Sequence, residues 1–320
     1  MELKPIVKGL ATLIPGAYHV FGRHRTGGTD TAAYCYEVWL KHLTFLWENG
    51  IRSMPQTLAE LGPGDSLGVG LAALLSGVSN YYALDIVRFS SPERNLKMFE
   101  ELVSLFKARA ARPSKGWPDY DAYLDVGLFP HRILPDEILE RSLREERLHL
   151  IRAALANQVS DCEEVSIKYM VPWLDEGIIE KESVDVILSH SVLEHVADLE
   201  TSYQALYSWL RSGGMMSHQI DFGAHGVTST WNGYWSCSPA LWKIIAGRRP
   251  FLINRQPCSV HAQLIERQGF QTICHLKNYR SDGIARAKLS SVWRDLSDDD
   301  LTCAETFIQA RKPFNGNFHF

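Results

Sequence analysis

The stretch that decides the fold is Leu58-Ala-Glu-Leu-Gly-Pro-Gly-Asp-Ser-Leu-Gly68. A short apolar run, Gln56 to Leu61, reads as a strand. A tight loop carrying Gly62, Gly64 and Gly68 leads out of it into the apolar, helix-like stretch Leu67 to Leu75. Glycines there allow backbone conformations closed to other residues and let the chain approach a ligand closely. The helix N-terminus then offers free N–H groups to an anionic group. Nicotinamide-binding folds use a related loop, so three further features matter. Glu60 lies two residues before the first glycine, where an acid holds a charged amino-acid moiety. The spacing is GxGxxxG rather than GxGxxG. Asp85 closes a second strand, Tyr81 to Val87, placed to accept hydrogen bonds from ribose hydroxyls; that feature alone serves a nicotinamide cofactor equally well.

Working outward, short apolar runs alternate with helical patterns, the signature of a parallel α/β sheet. Ser166 to Val171 reads as a third strand and Val184 to His190 as a fourth. Leu199 to Leu210 reads as a helix, with Leu199, Tyr203, Leu206 and Leu210 at helical spacing. Gly213-Gly214 is expected to stop it, with Met215 to Asp221 as the fifth strand. Phe270 to Leu276 and Thr302 to Gln309 read as an antiparallel pair at the sheet edge. The expected architecture is a Rossmann-like, doubly wound, mostly parallel sheet. Residues 1–55 form an N-terminal helical extension or lid. Residues 56–90 and 161–320 form the main domain, and residues 91–160 a helical insertion or cap. Two apolar stripes in the insertion, Leu96, Phe99, Leu102, Val103 and Phe106, then Leu139, Leu143, Leu150, Ile151 and Leu155, carry that reading.

Composition narrows the function. The 320 residues carry 33 basic and 37 acidic side chains, a net charge of −4, which argues against broad binding to a nucleic-acid backbone. A 45% hydrophobic content supports a packed core. No apolar run approaches the ~20 residues that span a bilayer. Residues 1–20 are apolar with Lys4 and Lys8 interspersed and lack a small-residue cleavage site. They suit a helix packed on its own domain, with membrane-surface contact as the lesser alternative. Cys35, Cys162, Cys237, Cys258, Cys274 and Cys303 are scattered without a CxxC pair, which suggests neither zinc ribbon nor iron–sulfur cluster and fits free thiols in the cytoplasm.

These motifs resemble the class I S-adenosylmethionine-dependent methyltransferases, in particular the methyltransferase type 11 group. Glu60-Leu-Gly-Pro-Gly64 looks like their first motif and Asp85 like their second. Ser183-Val-Asp-Val-Ile-Leu-Ser-His-Ser-Val-Leu-Glu-His-Val196 is similar to their fourth-strand segment, and Leu210-Arg-Ser-Gly-Gly214 to the turn before their fifth strand. The resemblance covers roughly residues 56–90 and 165–222. It implies S-adenosyl-L-methionine as cofactor, held by Glu60, Gly62, Gly64, Asp65, Ser66, Asp85, Ile86, Met170, His190 and Ser191. Ser66 stands where many members carry glycine, and the 91–160 insertion obscures the third motif. Met170, Trp173 and Asp175 are the candidates for an adenine contact. More loosely, Thr26-Gly-Gly-Thr29 with Tyr34, Tyr36, Trp39 and His42, His218 to His225, and Asn254-Arg255 look like methyltransferases encoded beside polysaccharide-assembly enzymes.

The acceptor side is read from the strand ends, where ligands bind in open α/β sheets. His218, Asp221 and His225 lie at or just beyond strand five. They suit general-base work on a hydroxyl, with His225 as base and Asp221 as its orienting partner; a divalent metal or a loop-stabilising hydrogen-bond network are the alternatives. The reading adopted is base chemistry with no resident metal. His195, in Val-Leu-Glu-His-Val after strand four, is a further catalytic candidate, set against a packed structural role. Trp231, Tyr234, Trp235 and Trp242 either stack on a sugar or planar acceptor or pack a lid. No Asn-Pro-Pro-Tyr segment follows strand four, which weighs against base methylation in DNA. The expected reaction is O-methylation of a small-molecule or glycan acceptor. A nicotinamide-dependent oxidoreductase and a non-catalytic cofactor-binding protein are the alternatives.

Overall fold

Strand β1 (Thr57–Leu61) is buried along its whole length, as a central strand covered on both faces must be. It anchors a seven-stranded sheet of order β3-β2-β1-β4-β5-β7-β6. The other strands are β2 (Asn80–Leu84), β3 (Ser166–Met170), β4 (Val184–His190), β5 (Leu210–Asp221), β6 (Gln271–Tyr279) and β7 (Cys303–Arg311). The first five run parallel; β7 pairs antiparallel with both β5 and β6. The computed structural model describes residues 3–14, 28–156, 164–173, 175–249 and 251–314. Residues 15–20, Thr26, Gly27, residues 157–160 and Cys162, on which parts of the sequence reading fall, lie outside the described residues.

Alternation along the strands builds two apolar layers. On one face Leu58, Val186 and Met215 meet α2 (Ala32–Glu48), α3 (Gly68–Leu75), α4 (Pro92–Lys107) and α6 (Glu145–Leu155) through Trp39, Leu71, Phe99 and Ile151. On the other, Ala59, Ile187 and Met216 meet α7 (Leu199–Trp209) and α9 (Cys258–Arg267) through Tyr203, Leu206 and Ile265. The strand order turns back at β1 and β4, so the loops after these two strands share a crevice at the carboxyl edge.

Three expectations are revised. Strand β2 ends at Leu84 rather than Val87, which leaves Asp85 just past the strand. Helix α7 ends at Trp209, and Gly213-Gly214 lies inside β5 rather than past a helix end. Val184 pairs with Leu210 but Val186 with Met215, so the β5 backbone bulges there and Gly213 takes a φ of 76°. The 91–160 stretch is not continuously helical: between α4 and α5 (Asp136–Ser142) only a short turn at Asp121–Tyr123 is helical. Pro113, Gly116, Pro118, Gly127, Pro130 and Pro135 break the helical pattern there. The buried Arg112 ties this segment to Glu37 of α2, 3.6 Å away.

The first helix, α1 (Leu3–Ala11), packs on α8 (Pro239–Ala246) through Ile6 and Gly9. A Cβ at Gly9 would lie 2.1 Å from the Ile244 carbonyl oxygen. Leu3, Val7 and Leu10 stay exposed on its outer side. Among the described residues, no helix is long and apolar enough to cross a membrane.

Candidate active site

The glycine loop after β1 has the conformation its sequence demands. Gly62 and Gly64 take φ of 64° and 75°, the left-handed region where a side chain is strained. The Gly62 N–H donates to the Leu84 carbonyl at 2.8 Å, tying the loop to β2. Gly68 answers to packing instead: a Cβ there would sit 2.4 Å from the Cys35 sulfur of α2. The N-terminal segment closes directly on this loop. The Asp65 N–H donates to Thr29 Oγ1 at 3.0 Å, and the Ser66 hydroxyl donates to the Thr29 carbonyl. Asp65 and Ser66 together hold the N-terminal segment to the loop.

Glu60 turns inward. It is 4% exposed and accepts from the Tyr81 hydroxyl, and burial pushes its carboxyl up to about 7. In this position it braces β1 against β2 and the start of α3. Asp85 is different. Its Oδ1 accepts from the Ile86 N–H at 2.8 Å, while Oδ2 is buried and has no side-chain donor. Burial pushes this carboxyl up to about 6 against the backbone N–H groups of Ile86, Val87 and Gly64. A buried acceptor short of donors is costly unless a ligand supplies one. Beside it Ile86 is 38% exposed, an apolar surface at a strand end. The Met170 carbonyl accepts from the Asp85 N–H, and the Asp85 carbonyl accepts from the Trp173 N–H. Asp175 instead caps a short helical turn by accepting from the Gly177 N–H.

A second group of polar side chains lies at the ends of β4 and β5 and just beyond them. His190 ends β4, meets His42 of α2 at 3.3 Å and has Tyr34 edge-on; burial lowers its pKa to about 3. Ser191, in the left-handed region at φ 55°, donates its N–H to the Gln219 carbonyl. The helical turn Leu193–His195 follows. Glu194 is 2% exposed, and neither carboxylate oxygen has a side-chain partner; only the backbone N–H groups of Glu194 and Asp221 lie beside it. Burial drives its carboxyl far above the usual range, with repulsion from Asp221 and Glu305 added. His195 Nδ1 is also buried with no side-chain partner, and its ring lies 5.1 Å from that of His225. His225 has a φ of 45°, an uncommon conformation for a side-chain-bearing residue and one that clusters at functional sites. Its Nε2 is 3.7 Å from Asp221 Oδ2.

The histidine pair expected after strand five is split by the pleat. Asp221 and His225 face the crevice. His218 points to the opposite side of β5, fully buried, bonded to Ser189 at 2.8 Å and packed near Tyr203. It belongs to the core. Tyr234 and Trp235 are also buried, their polar atoms bonded to the Phe222 and Arg255 carbonyls. Trp242 lies under the Arg255 guanidinium, 4.5 Å from ring centre. These three rings pack among themselves instead of offering an open stacking face.

Two residues emerge only in three dimensions. Asn254 donates its N–H to the Glu194 carbonyl at 2.6 Å and its side-chain amide to the Leu193 and Val196 carbonyls. It thereby clamps the turn that carries Glu194 and His195. Lys41, buried in α2, donates to Gln219 Oε1 and the Trp117 carbonyl, and Gln219 in turn donates to Glu305. Burial lowers the Lys41 ammonium to about 8. Neither has a sequence signature: Asn254 was legible only as part of a loose resemblance, and Lys41 reads as one polar position in an apolar helix.

Residues 143–217, from the end of α5 into β5, match the family model described as a methyltransferase domain. The matched stretch makes this part of the chain similar to a methyltransferase domain, and the strand order and glycine loop are those of a Rossmann-like fold. The chain is similar in structure to phosphoethanolamine N-methyltransferase 2 of Haemonchus contortus, solved with S-adenosyl-L-methionine, at 15% identity and a TM-score of 0.41. That similarity covers 90% of this chain and 58% of the nematode protein, so the chain spans less than two thirds of its length. It is also similar to an S-adenosylmethionine-dependent methyltransferase from Mesorhizobium loti, at 15% identity and a TM-score of 0.41, covering 89% of this chain and 100% of that one. No curated relative matches the chain in sequence.

Proposed function

We propose that the protein transfers the methyl group of S-adenosylmethionine to a hydroxyl of a small-molecule or glycan acceptor. The observation that carries the cofactor half is Asp85: a buried carboxylate oxygen without a side-chain donor, one residue past β2 and beside the glycine loop. Ribose hydroxyls supply the donors it lacks. Gly62, Gly64, Asp65 and Ser66 would cradle the cofactor with their backbone, and Ile86 and Met170 would border the adenine. His190 and Ser191 would floor the amino-acid end. Glu60 supports the loop from beneath. The cofactor supplies an electrophilic methyl on a sulfonium, an intrinsically downhill donor.

The chain's own work is then alignment, exclusion of water and removal of the acceptor proton. Residues 1–55 would act as a lid, a role supported by the bonds from Thr29 to the loop. His225, Asp221 and His195 form the group at which the acceptor proton leaves. His225→Ala is expected to lower kcat by about 10²–10⁴ while cofactor affinity stays nearly unchanged. A cytoplasmic setting fits the free thiols of Cys35, Cys237, Cys258, Cys274 and Cys303. The test is incubation with methyl-labelled S-adenosylmethionine and a panel of hydroxyl, amine and carboxylate acceptors. Label in a hydroxyl acceptor is the expected result. Label only in amines would move the reaction to nitrogen, and bound cofactor without transfer to any class would make the protein a binding module.

A further inference from the structure

Three polar side chains beyond β4 and β5 converge on one point. One ligand atom each of Glu194, His195 and His225 lies within 4.8 Å of the other two. Two of the three are groups the fold leaves short of partners. The Glu194 side chain is buried with no side-chain partner on either oxygen and only the backbone N–H groups of Glu194 and Asp221 beside it, and His195 Nδ1 is buried with no side-chain partner. Burying a carboxylate without a partner is expensive, and native proteins compensate by pairing it or by giving it a metal. No cation fills that role: among the described residues, Glu194 takes part in no salt bridge, and its charged neighbours Asp221 and Glu305 are themselves acidic.

We propose that Glu194, His195 and His225 form a binding site for a divalent first-row transition ion. Two imidazoles and one carboxylate make a mixed nitrogen and oxygen set, suited to zinc, cobalt, manganese or iron, whereas magnesium and calcium favour all-oxygen sets. Metal–ligand bonds of about 2.0–2.2 Å hold ligand atoms about 3–4 Å apart. The site therefore has to contract slightly from its present span, and His225, on a loop and about one-third exposed at its side chain, is the ligand free to close it. The other two are held. Asn254 clamps the 193–196 turn through three hydrogen bonds to its carbonyls, and the Phe251 backbone bonds the His195 ring. Outer contacts of this kind orient metal ligands. Three protein ligands leave a position open on the crevice side, the arrangement of catalytic rather than structural sites.

The site itself stands on geometry; its use rests on the methyl-transfer reading. There the ion would lower the proton affinity of the acceptor hydroxyl, and Asp221 would take the proton. The O–CH3 bond would form as the C–S bond breaks, its electron pair staying on sulfur. His225 then serves as a ligand, which replaces the metal-free base expected from sequence.

The experiment is a Co2+ titration of the chelator-stripped full-length chain without S-adenosylmethionine, followed by visible absorption and by competition with Zn2+ and with Mg2+. One Co2+ per chain is expected, displaced by Zn2+ and indifferent to Mg2+. Glu194→Gln and His225→Ala should each weaken binding by ~100-fold or more, above the ~10–100-fold typical of outer contacts. Glu194→Gln keeps the shape of a buried carboxyl that has no side-chain partner, so its metal-free melting temperature should not fall. Absence of a Co2+ spectrum, or binding that both variants retain, overturns the proposal. Because no cofactor is present, failure here is distinct from failure of the methyltransferase reading, which a separate titration with S-adenosylhomocysteine decides.

Discussion

The two sides of the carboxyl-edge crevice are built by different means. The cofactor side is made of backbone. Gly62 and Gly64 adopt positive φ, Asp85 follows directly on a strand, and the whole set spans residues 58–86. The half beyond β4 and β5 is made of side chains brought from afar: Glu194 and His195 on a short turn, His225 on a strained loop, Asn254 a further stretch along the chain. Backbone sites need particular residues at particular offsets, so they leave a contiguous signature. Side-chain sites need only convergence, and tertiary packing provides it without any local pattern. The two sides also differ in electrostatics. Burial raises both carboxyls and backbone N–H groups oppose it at both, but only Glu194 also has neighbouring carboxylates, Asp221 and Glu305, pushing it further up.

The largest expected effect separates the sides by a glycine. Gly64→Val places a β-branched residue at φ 75° and should weaken S-adenosylhomocysteine binding by ~100-fold or more. Gly62→Val should damage both sides, because its Cβ would sit 2.6 Å from Val192, the residue just before the Glu194 turn. Titration calorimetry on the two folded variants checks this. Equal behaviour in Co2+ binding would show that the halves are not mechanically distinct.

Asn254→Ala is the complementary, smaller perturbation. It frees the Leu193 and Val196 carbonyls and lets the Glu194–His195 turn shift. A displacement of about 1 Å at a reacting group costs up to ~10²-fold in rate, so kcat should fall by roughly 10–100-fold. The dissociation constant of S-adenosylhomocysteine should stay within about twofold. Loss of cofactor affinity on the same scale would mean that the clamp serves both sides.

The smallest effect is a pH dependence confined to the cofactor side. Burial raises the Asp85 carboxyl to about 6 in the empty site, while ribose hydroxyls donate to the carboxylate form. Below pH 6 binding must therefore release a proton. S-adenosylhomocysteine affinity should be level above pH 6 and fall by up to ~10-fold per unit below it. Asp85→Asn should bind weakly and without that slope; a slope retained in the variant would assign the proton to another group.

The sequence reading succeeded where periodicity and glycine spacing carry the information. β1, β3 and β4, the helix after the loop and the antiparallel edge pair stand where the apolar runs put them. It overextended β2 through Ile86 and Val87, apolar residues that form an exposed surface beside Asp85 rather than a strand. It took Gly213-Gly214 for a helix stop, since a bulge inside a strand and a cap outside a helix demand the same left-handed glycine. His218 looked equivalent to His225 because spacing along the chain does not reveal the side of the pleat until the strand's register is known. Glu194 has no pattern of its own in Val-Leu-Glu-His-Val, since only the fold buries both its oxygens away from any side-chain partner.

The central claim is that the glycine loop and Asp85 hold S-adenosylmethionine, and calorimetric titration of wild type and Asp85→Ala with that cofactor tests it most directly. The account predicts one cofactor bound per wild-type chain. In the variant it predicts a loss of about 1.5–3 kcal/mol, the scale of charge-assisted hydrogen bonds, with the fold intact by circular dichroism. No binding to wild type, or the same dissociation constant in a folded Asp85→Ala, would contradict it.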